Sequence, residues 1–225
     1  LVSVATAITT HTVYQALIWS LVLLLPTLLL GRFFCGWVCP FGAVNQFIGW
    51  VFNSRNVPQQ VRSNQYRSYF ATKSYLLLAT GAAAVLGSLQ IGLLDPFSLL
   101  FRSTTVAVLP LVDAATGLVY VRPHVHQAAW VVGFIFLGVV TLNLVVPRFF
   151  CRALCPLGAL LGVLSRSALW RIERDPEACN HCNLCTTRCE GACDPHAQLR
   201  RAECFVCMNC VESCPQGALS FPAAG

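Results

Sequence analysis

The sequence predicts an α-helical membrane domain over residues 1–170, followed by a small α+β domain over residues 171–225. Three observations support this fold class. The 225-residue chain is 56% hydrophobic and only 11% charged, whereas about a quarter of the residues in soluble domains are charged. A cysteine-containing motif occurs twice in the apolar part. Most of the 13 cysteines then fall in two regularly spaced runs near the end of the chain.

Three apolar runs are long enough to cross a bilayer, which needs about 20 residues. They cover residues 12–31, 74–94 and 127–147. A further apolar segment, residues 103–121, is interrupted by Pro110 and Asp113 and is interpreted as a re-entrant piece or a weak fourth span. The sequence thus predicts three to four transmembrane helices.

Basic residues predict the orientation of these spans, because cytoplasmic loops of membrane proteins are enriched in Lys and Arg. Lys and Arg are concentrated between positions 32 and 73 and again after position 147, whereas residues 95–126 contain only Arg102 and Arg122. The 32–73 loop and the C-terminal domain are therefore predicted to face the cytoplasm, where thiols stay reduced. Membrane flanks account for the net charge of +6, so no nucleic-acid-binding stripe is predicted.

The repeated motif has eight of twelve residues identical between copies that lie 116 positions apart. The copies read Arg32-Phe33-Phe34-Cys35-x3-Cys39-Pro40-x-Gly42-Ala43 and Arg148-Phe149-Phe150-Cys151-x3-Cys155-Pro156-x-Gly158-Ala159. Each copy follows a predicted span of the same direction, so the repeat is of the parallel kind. Proline is tolerated in the first turn of a helix and disruptive inside one. Each copy therefore predicts a half-helix that begins at its proline.

The four cysteines of the repeat, Cys35, Cys39, Cys151 and Cys155, predict one shared site if the two copies face each other. In Cys-x3-Cys on a helix, both sulfurs lie on one face, one turn apart. Four thiolates suit an iron–sulfur cluster or another soft metal. Two alternatives stay open: small buried side chains between packed helices, and a redox-active thiol pair. Repetition of the whole frame, and not of the cysteines alone, favours the metal site.

The two cysteine runs near the C-terminus have the spacing that binds [4Fe–4S] clusters in bacterial ferredoxins. They are Cys179-x2-Cys182-x2-Cys185-x3-Cys189 and Cys204-x2-Cys207-x2-Cys210-x3-Cys214-Pro215. The fourth cysteine of such a run normally ligates the other cluster. The predicted ligand sets are therefore Cys179, Cys182 and Cys185 with Cys214, and Cys204, Cys207 and Cys210 with Cys189. A disulfide knot or structural zinc is the alternative, but the triplet spacing favours two clusters.

These motifs together with the segment Asp95-Pro96-Phe97-Ser98-Leu99-Leu100 resemble the NapH-type membrane iron–sulfur proteins of nitrate respiration. They are also similar to the C-terminal part of NosR-type regulators and, more loosely, to CcoG-type copper-handling proteins. The resemblance covers residues 30–220. It implies a multi-pass protein of the bacterial inner membrane that acts as a quinol-dehydrogenase-like electron-transfer subunit of an oxidoreductase. Its expected partners are redox subunits, with a quinone as a further candidate.

The first run departs from the family pattern after Cys189. Glu190 stands where a proline is expected, and an additional Cys193 follows. Cys193 is therefore an alternative to Cys189 as the crossing ligand. Two other function classes remain beside electron transfer. One is a metal-handling or assembly factor in which the four cysteines of the repeat bind or reduce a metal, and the other is a structural anchor for redox subunits. The single Met and the absence of a His run favour electron transfer over metal delivery.

Overall fold

The computed structural model describes residues 15–52, 56–86, 95–105, 109, 112, 129–197 and 199–223. Within these residues the protein is mostly helical. The helices are α1 (Gln15–Leu30), α2 (Phe33–Trp37), α3 (Pro40–Val51), α4 (Val57–Asn64), α5 (Thr72–Val85), α6 (Pro96–Ser103), α7 (Ala129–Val145), α8 (Pro156–Leu164), α9 (Leu184–Thr187) and α10 (Asn209–Glu212). Among the described residues one sheet occurs, in which β1 (Glu173–Arg174) pairs with β2 (Leu219–Ser220) in antiparallel register.

The predicted membrane domain of three to four transmembrane helices, and with it the predicted fold class, is wrong. No helix in the described part of the chain is both long enough and apolar enough to cross a membrane. The helices in the three apolar runs have 16, 14 and 17 residues, whereas about 20 are needed. Gly31, at φ 77°, follows the end of α1, and Pro147 follows the end of α7.

Most of segment 103–121, which was interpreted as a re-entrant piece, lies outside the described residues, as do residues 87–94 of the second predicted span. The described beginning of that segment is the end of α6, which starts at Pro96. Asp95 caps this helix, and its carboxylate accepts a hydrogen bond from the Phe97 N–H at 3.0 Å. An aspartate at this position satisfies an N–H group that has no partner within the helix.

The helix breaks predicted at the two prolines are confirmed. Pro40 and Pro156 are the first residues of α3 and α8, and the cysteine before each one is the N-cap residue, in extended backbone. Before that break, the first motif forms α2, and the second forms a wide π turn over Phe150–Leu154. The two copies therefore fold alike at the cysteine–proline step, because proline fixes its own φ and restricts the residue before it.

The two copies are packed crosswise. Helix α3, which follows the first motif, packs on α7, which precedes the second motif. Helix α8, which follows the second motif, packs in turn on α1, which precedes the first, and on α5. This arrangement buries both motifs in one core, which also includes Phe34, Phe41, Phe150 and Phe205. A second core holds cysteines of the C-terminal runs with Ile172, Val206 and Leu219.

Candidate metal centres

The two C-terminal cysteine loops, Cys179–Cys185 and Cys204–Cys210, have the same backbone geometry. In each loop the residues on both sides of the middle cysteine have positive φ, and the third cysteine lies in a short helix. These residues are His181 (φ 55°), Asn183 (62°), Val206 (52°) and Met208 (61°), and the helices are α9 and α10. Left-handed backbone at residues other than glycine is uncommon and costs about 1 kcal/mol or more each. Its recurrence at matched positions indicates one loop design used twice.

The first predicted ligand set comes together at one cavity. Cys179, Cys182, Cys185 and Cys214 all line it, together with Arg174 and His196. Arg174 Nη1 lies 4.0 Å from Cys179 Sγ and donates a hydrogen bond to the His196 carbonyl at 2.5 Å. Cys182 is exposed to solvent. Cys214 therefore lies with the three cysteines of the other run, and this set reaches the surface. That these four residues are the cluster ligands stays a prediction.

Three cysteines of the second predicted ligand set are buried, Cys207 is half-buried, and Cys193 lies among them. Cys189, Cys193, Cys204 and Cys210 share one core. Cys193 Sγ lies 3.5 Å from Cys189 Sγ, and its backbone N–H donates to the same sulfur at 3.4 Å. Burial raises the pKa of Cys207 to about 12. A thiol in that environment ionises near neutral pH only when a cation compensates its charge, which is what a thiolate–metal bond provides.

The four cysteines of the repeat are buried in a single core, so the two copies face each other. The exposed fractions of Cys35, Cys39, Cys151 and Cys155 are 8%, 7%, 6% and 4%. Cys155 Sγ accepts a hydrogen bond from the Gly158 N–H at 3.3 Å. Burial raises the pKa of Cys151 to about 12, with Arg148 acting in the opposite direction and Cys35 and Cys39 adding to the rise. The four thiols are therefore electrostatic neighbours. This set is called the inner cysteine site below.

All 13 cysteines carry free thiols, and they lie in the described residues, so the disulfide alternative does not apply to this structure. The sulfurs share these sites without metal-ligand geometry. Across the described ranges, no group of three or more His, Cys, Asp or Glu side chains is arranged to hold a metal ion. Metal binding at these sites is therefore inferred from the cysteine side chains that could act as ligands and from where they lie.

Four buried basic side chains lie in or next to the inner cysteine site, and the sequence did not predict their burial. Arg32 and Arg152 are fully buried, and Lys73 and Arg148 are 3% and 4% exposed. Two carboxylates face these four cations. Glu203 pairs with Lys73 and, at 3.5 Å, with Arg32, while Glu190 pairs with Arg148 at 2.6 Å. Burial and the charge of Arg32 lower the pKa of Lys73 to about 8. The core around the cysteines therefore holds an excess of positive charge, which suits an anionic group.

Two donors of Arg32 are satisfied by no group among the residues that the structure describes. Its Nη1 donates to the Ala202 carbonyl at 2.6 Å, but its Nε and Nη2 are buried without a hydrogen-bond partner. A Cβ on Gly158 would lie 2.9 Å from Nη2, so the absence of a side chain lets the guanidinium approach the second motif. Unpaired buried donors are costly. Thiolate sulfurs accept hydrogen bonds at any thiolate–metal site, and the sulfides of an iron–sulfur cluster add further acceptors, so these donors fit a cluster.

Both motif copies contact the loops of the second ligand set. On the first copy, Trp37 Nε1 donates to the Val206 carbonyl at 3.0 Å, and a Cβ on Gly36 would lie 2.7 Å from the Phe205 carbonyl oxygen. On the second copy, Arg152 donates to the carbonyl groups of Glu190 and Cys189 at 2.9 and 3.1 Å. The inner cysteine site and the second ligand set are therefore direct neighbours.

Arg32 and Arg148 were interpreted from the sequence as residues that bound membrane spans, and that interpretation is corrected by their burial. Both arginines lie inside the core, where each reaches the other half of the repeat: Arg32 approaches Gly158, and Arg148 Nη1 donates to the Cys35 carbonyl at 3.3 Å. The occurrence of arginine at this matched position in both copies of the repeat was the sequence feature that indicated a role inside the fold. A residue that only flanks a span has no reason to recur at a matched position.

A family model described as "4Fe-4S binding domain" matches residues 12–56 and 128–173. The two matched segments correspond to the two copies of the repeat, and they contain the four inner cysteines but end before Cys179. No solved structure matches the chain.

Similar proteins include three with informative names. The putative electron transport protein YccM of Escherichia coli is 31% identical over 84% of this chain and 50% of its own length. The regulatory protein NosR of Pseudomonas aeruginosa is 30% identical over 89% of this chain and 28% of its own length. The ferredoxin-type protein NapH of Haemophilus influenzae is 25% identical over 90% of this chain and 66% of its own length. This chain thus spans about half of YccM and a smaller part of NosR.

Proposed function

We propose that this chain, which belongs to the NapH/NosR-type family of 4Fe–4S proteins, is an iron–sulfur electron-transfer subunit. It would relay electrons between a quinone or a membrane partner and redox partner subunits. Its relatives include a putative electron transport protein and ferredoxin-type proteins. These relatives support a function in electron transfer. A bound [4Fe–4S] cluster supplies one-electron chemistry.

The observation that carries the proposal is the order of the three cysteine sites. The inner cysteine site contacts the loops of the second ligand set. The second set is buried except at the half-buried Cys207, and the first set reaches solvent at Cys182. We assign one [4Fe–4S] cluster to each C-terminal set and a third cluster, or another soft metal, to the inner site. In this assignment residues 171–225 act as a ferredoxin-like unit whose exposed end meets a redox partner.

The protein's own residues supply three things to such sites. The loops present thiols at the spacing that clusters need. The buried cations, Arg32, Lys73, Arg148 and Arg152, offset the negative charge that four thiolates bring into a core of low polarity. Phe41, Phe150 and Phe205, each 1% exposed, exclude water from the inner site.

Electron transfer is tested by redox spectroscopy on the protein purified anaerobically with its iron. Dithionite should bleach the visible absorption of the clusters, and a one-electron acceptor should restore it. A quinol analogue should cause partial bleaching if the electrons enter from quinol. Cys182→Ala serves as the control variant, because it should lose only the signal of the first set. A protein whose absorption neither bleaches nor recovers would contradict the proposal.

A metal-handling function is the second candidate, since free buried thiol pairs also bind soft metals such as copper. The unpaired donors of Arg32 fit an anionic group of either kind, since thiolates and sulfides both accept hydrogen bonds. Metal analysis separates the two functions. Iron with matching acid-labile sulfide at the inner site supports electron transfer, whereas copper or zinc without sulfide supports metal handling.

A quinone site is proposed at a cavity of about 320 Å³ between α3, α4, α7 and α9. Its lining combines aromatic surface from Trp50 with the carboxamides of Gln46 and Asn143, and it reaches Cys189 and Glu190. Such carboxamides can donate hydrogen bonds to quinone carbonyls. A water-soluble quinone should quench Trp50 fluorescence, and Trp50→Leu should abolish that quenching. Trp170→Leu, which alters a different cavity, is the matched control. Equal quenching in the Trp50 and Trp170 variants would show that the quinone does not bind at this cavity.

We also propose that the protein associates with the inner membrane of a bacterium, with the C-terminal cysteine sites in the cytoplasm. Large apolar side chains are exposed on several helices, among them Trp50 (75%), Leu78 (70%), Leu86 (86%) and Phe134 (67%). Exposed apolar surface of this extent usually marks a lipid or protein contact. Cell fractionation tests the proposal: recovery in the membrane fraction after a high-salt wash supports it, and recovery in the soluble fraction contradicts it.

A further inference from the structure

Phe205 belongs to a cysteine loop by sequence but to the inner core by packing. It lies between Cys204 and Cys207, in the loop of the second ligand set, and its ring is 1% exposed. The ring packs in the core that contains the four inner cysteines, while Val206 packs in the other core with Cys204 and Cys210. The chain thus crosses from one core to the other within two residues.

Two arginines hold the Phe205 ring. The Cζ atoms of Arg32 and Arg148 lie 4.8 and 5.4 Å from the ring centroid, within the range of a cation–π contact. Each arginine is itself restrained by a carboxylate, Arg32 by Glu203 and Arg148 by Glu190. The clamp therefore joins matched residues of the two motif copies to one residue of the cysteine loop.

The other cysteine loop lacks this feature. The position that corresponds to Phe205, 25 residues earlier, is the exposed residue Asn180. Because both loops have the same backbone geometry, the loop itself does not need an aromatic residue there. Phe205 instead contributes to the packing of the second loop against the inner cysteine site.

We propose that Phe205, clamped by Arg32 and Arg148, is a positioning residue that seals the second ligand set against water and joins it to the inner cysteine site. This proposal rests on the proposed function, because it assumes a cluster at Cys189, Cys204, Cys207 and Cys210. Solvent exposure is one of the factors that set the potential of an iron–sulfur cluster. Reduction adds negative charge, and water stabilises that charge better than an apolar core does. Opening the seal should therefore raise the potential.

The experiment compares Phe205→Leu with Phe41→Leu in the whole chain purified with its iron. Phe41 is equally buried in the same core but stacks on Phe150, at 4.8 Å between ring centroids, and makes no arginine clamp. The readouts are iron and sulfide per chain and the midpoint potential of each cluster, followed by spin resonance during a redox titration. Phe205→Leu should keep the iron and sulfide content of the unaltered protein and shift one cluster to a higher potential. Phe41→Leu should leave the potential of the cluster at the second ligand set unchanged, and Phe205→Tyr, which keeps the ring, should restore the original value of that potential.

Three outcomes would overturn the positioning role: unchanged potentials in Phe205→Leu, an equal shift in Phe41→Leu, or a failure of Phe205→Tyr to restore the potential. If Phe205→Leu does not fold, Phe205→Tyr and Arg148→Lys are compared instead, and only Arg148→Lys, which loses the planar guanidinium, should shift the potential. The proposed function fails separately, if the unaltered protein contains no iron and sulfide.

Discussion

The two C-terminal cysteine loops share one backbone but occupy different environments, and the difference indicates how the sites are used. In the loop Cys179–Cys185 the middle cysteine is exposed, whereas in the loop Cys204–Cys210 the middle cysteine is half-buried and the loop packs against the motif copies. Local sequence explains the common geometry, since both loops have the same cysteine spacing. Tertiary packing explains the rest. The exposed loop is available to a partner, and the buried loop faces the inner cysteine site.

Replacing the middle cysteine of each loop tests this comparison most strongly. Cys207→Ala and Cys182→Ala should each lose one cluster, about four iron atoms per chain. Cluster binding also stabilises the fold, because metal-binding energy is folding energy in small metal-dependent units. Cys207→Ala should lower the unfolding temperature more, since it affects the loop that joins both cores. Iron analysis and thermal unfolding followed by circular dichroism provide the measurements. Equal loss of stability in the two variants would show that the buried loop has no special role.

The second prediction concerns Arg152, which ties the second motif copy to the buried loop. It is fully buried and donates to Ser63, Asn64, Cys189 and Glu190. Arg152→Met should lower the free energy of unfolding by about 3 kcal/mol, because the acceptors lose a buried charged donor. The exposed Arg166→Met is the control and should behave as an ordinary surface substitution. Urea unfolding measures both variants, and similar midpoints would contradict the role assigned to Arg152.

A smaller effect is expected at Gly191, between Cys189 and Cys193. A Cβ at this position would lie 2.2 Å from the Glu203 carbonyl oxygen, so the backbone must shift. Gly191→Ala should cost about 2 kcal/mol, as overpacking commonly does, and should alter the spectrum of the second cluster. Gly49→Ala is a matched control, because nothing lies within 4 Å of its Cβ position and alanine favours a helix. If Gly191→Ala unfolds at the same urea concentration as Gly49→Ala, then the loop is less closely packed than the structure indicates.

The features that the sequence predicted well depend on local spacing and backbone chemistry. The cysteine spacing predicts Cys214 as a ligand together with Cys179, Cys182 and Cys185. All four line one cavity, and their ligation of a cluster stays a prediction. Pro40 and Pro156 predicted where α3 and α8 begin, because proline acts through its own ring and not through distant contacts.

The features that the sequence predicted poorly depend on tertiary packing. Lengths of apolar runs predicted transmembrane helices, but Gly31 and Pro147 follow the ends of α1 and α7, and no described helix is a candidate span. Arg32 and Arg148 next to those runs were assigned to membrane flanks, since a charged residue beside an apolar segment usually stays in water. The packing of Phe205 into the inner core could not be read from a spacing that both loops share.

We propose above that the four cysteines of the repeat form a metal site of their own beside the two C-terminal ligand sets. The most direct test is iron and acid-labile sulfide per chain in the unaltered protein and in Cys35→Ser/Cys151→Ser. Three clusters correspond to about 12 of each in the unaltered protein and about eight in the double variant. About eight of each in both proteins, with no other metal lost from the double variant, would show that the inner cysteines hold neither a cluster nor another metal, which would contradict this proposal.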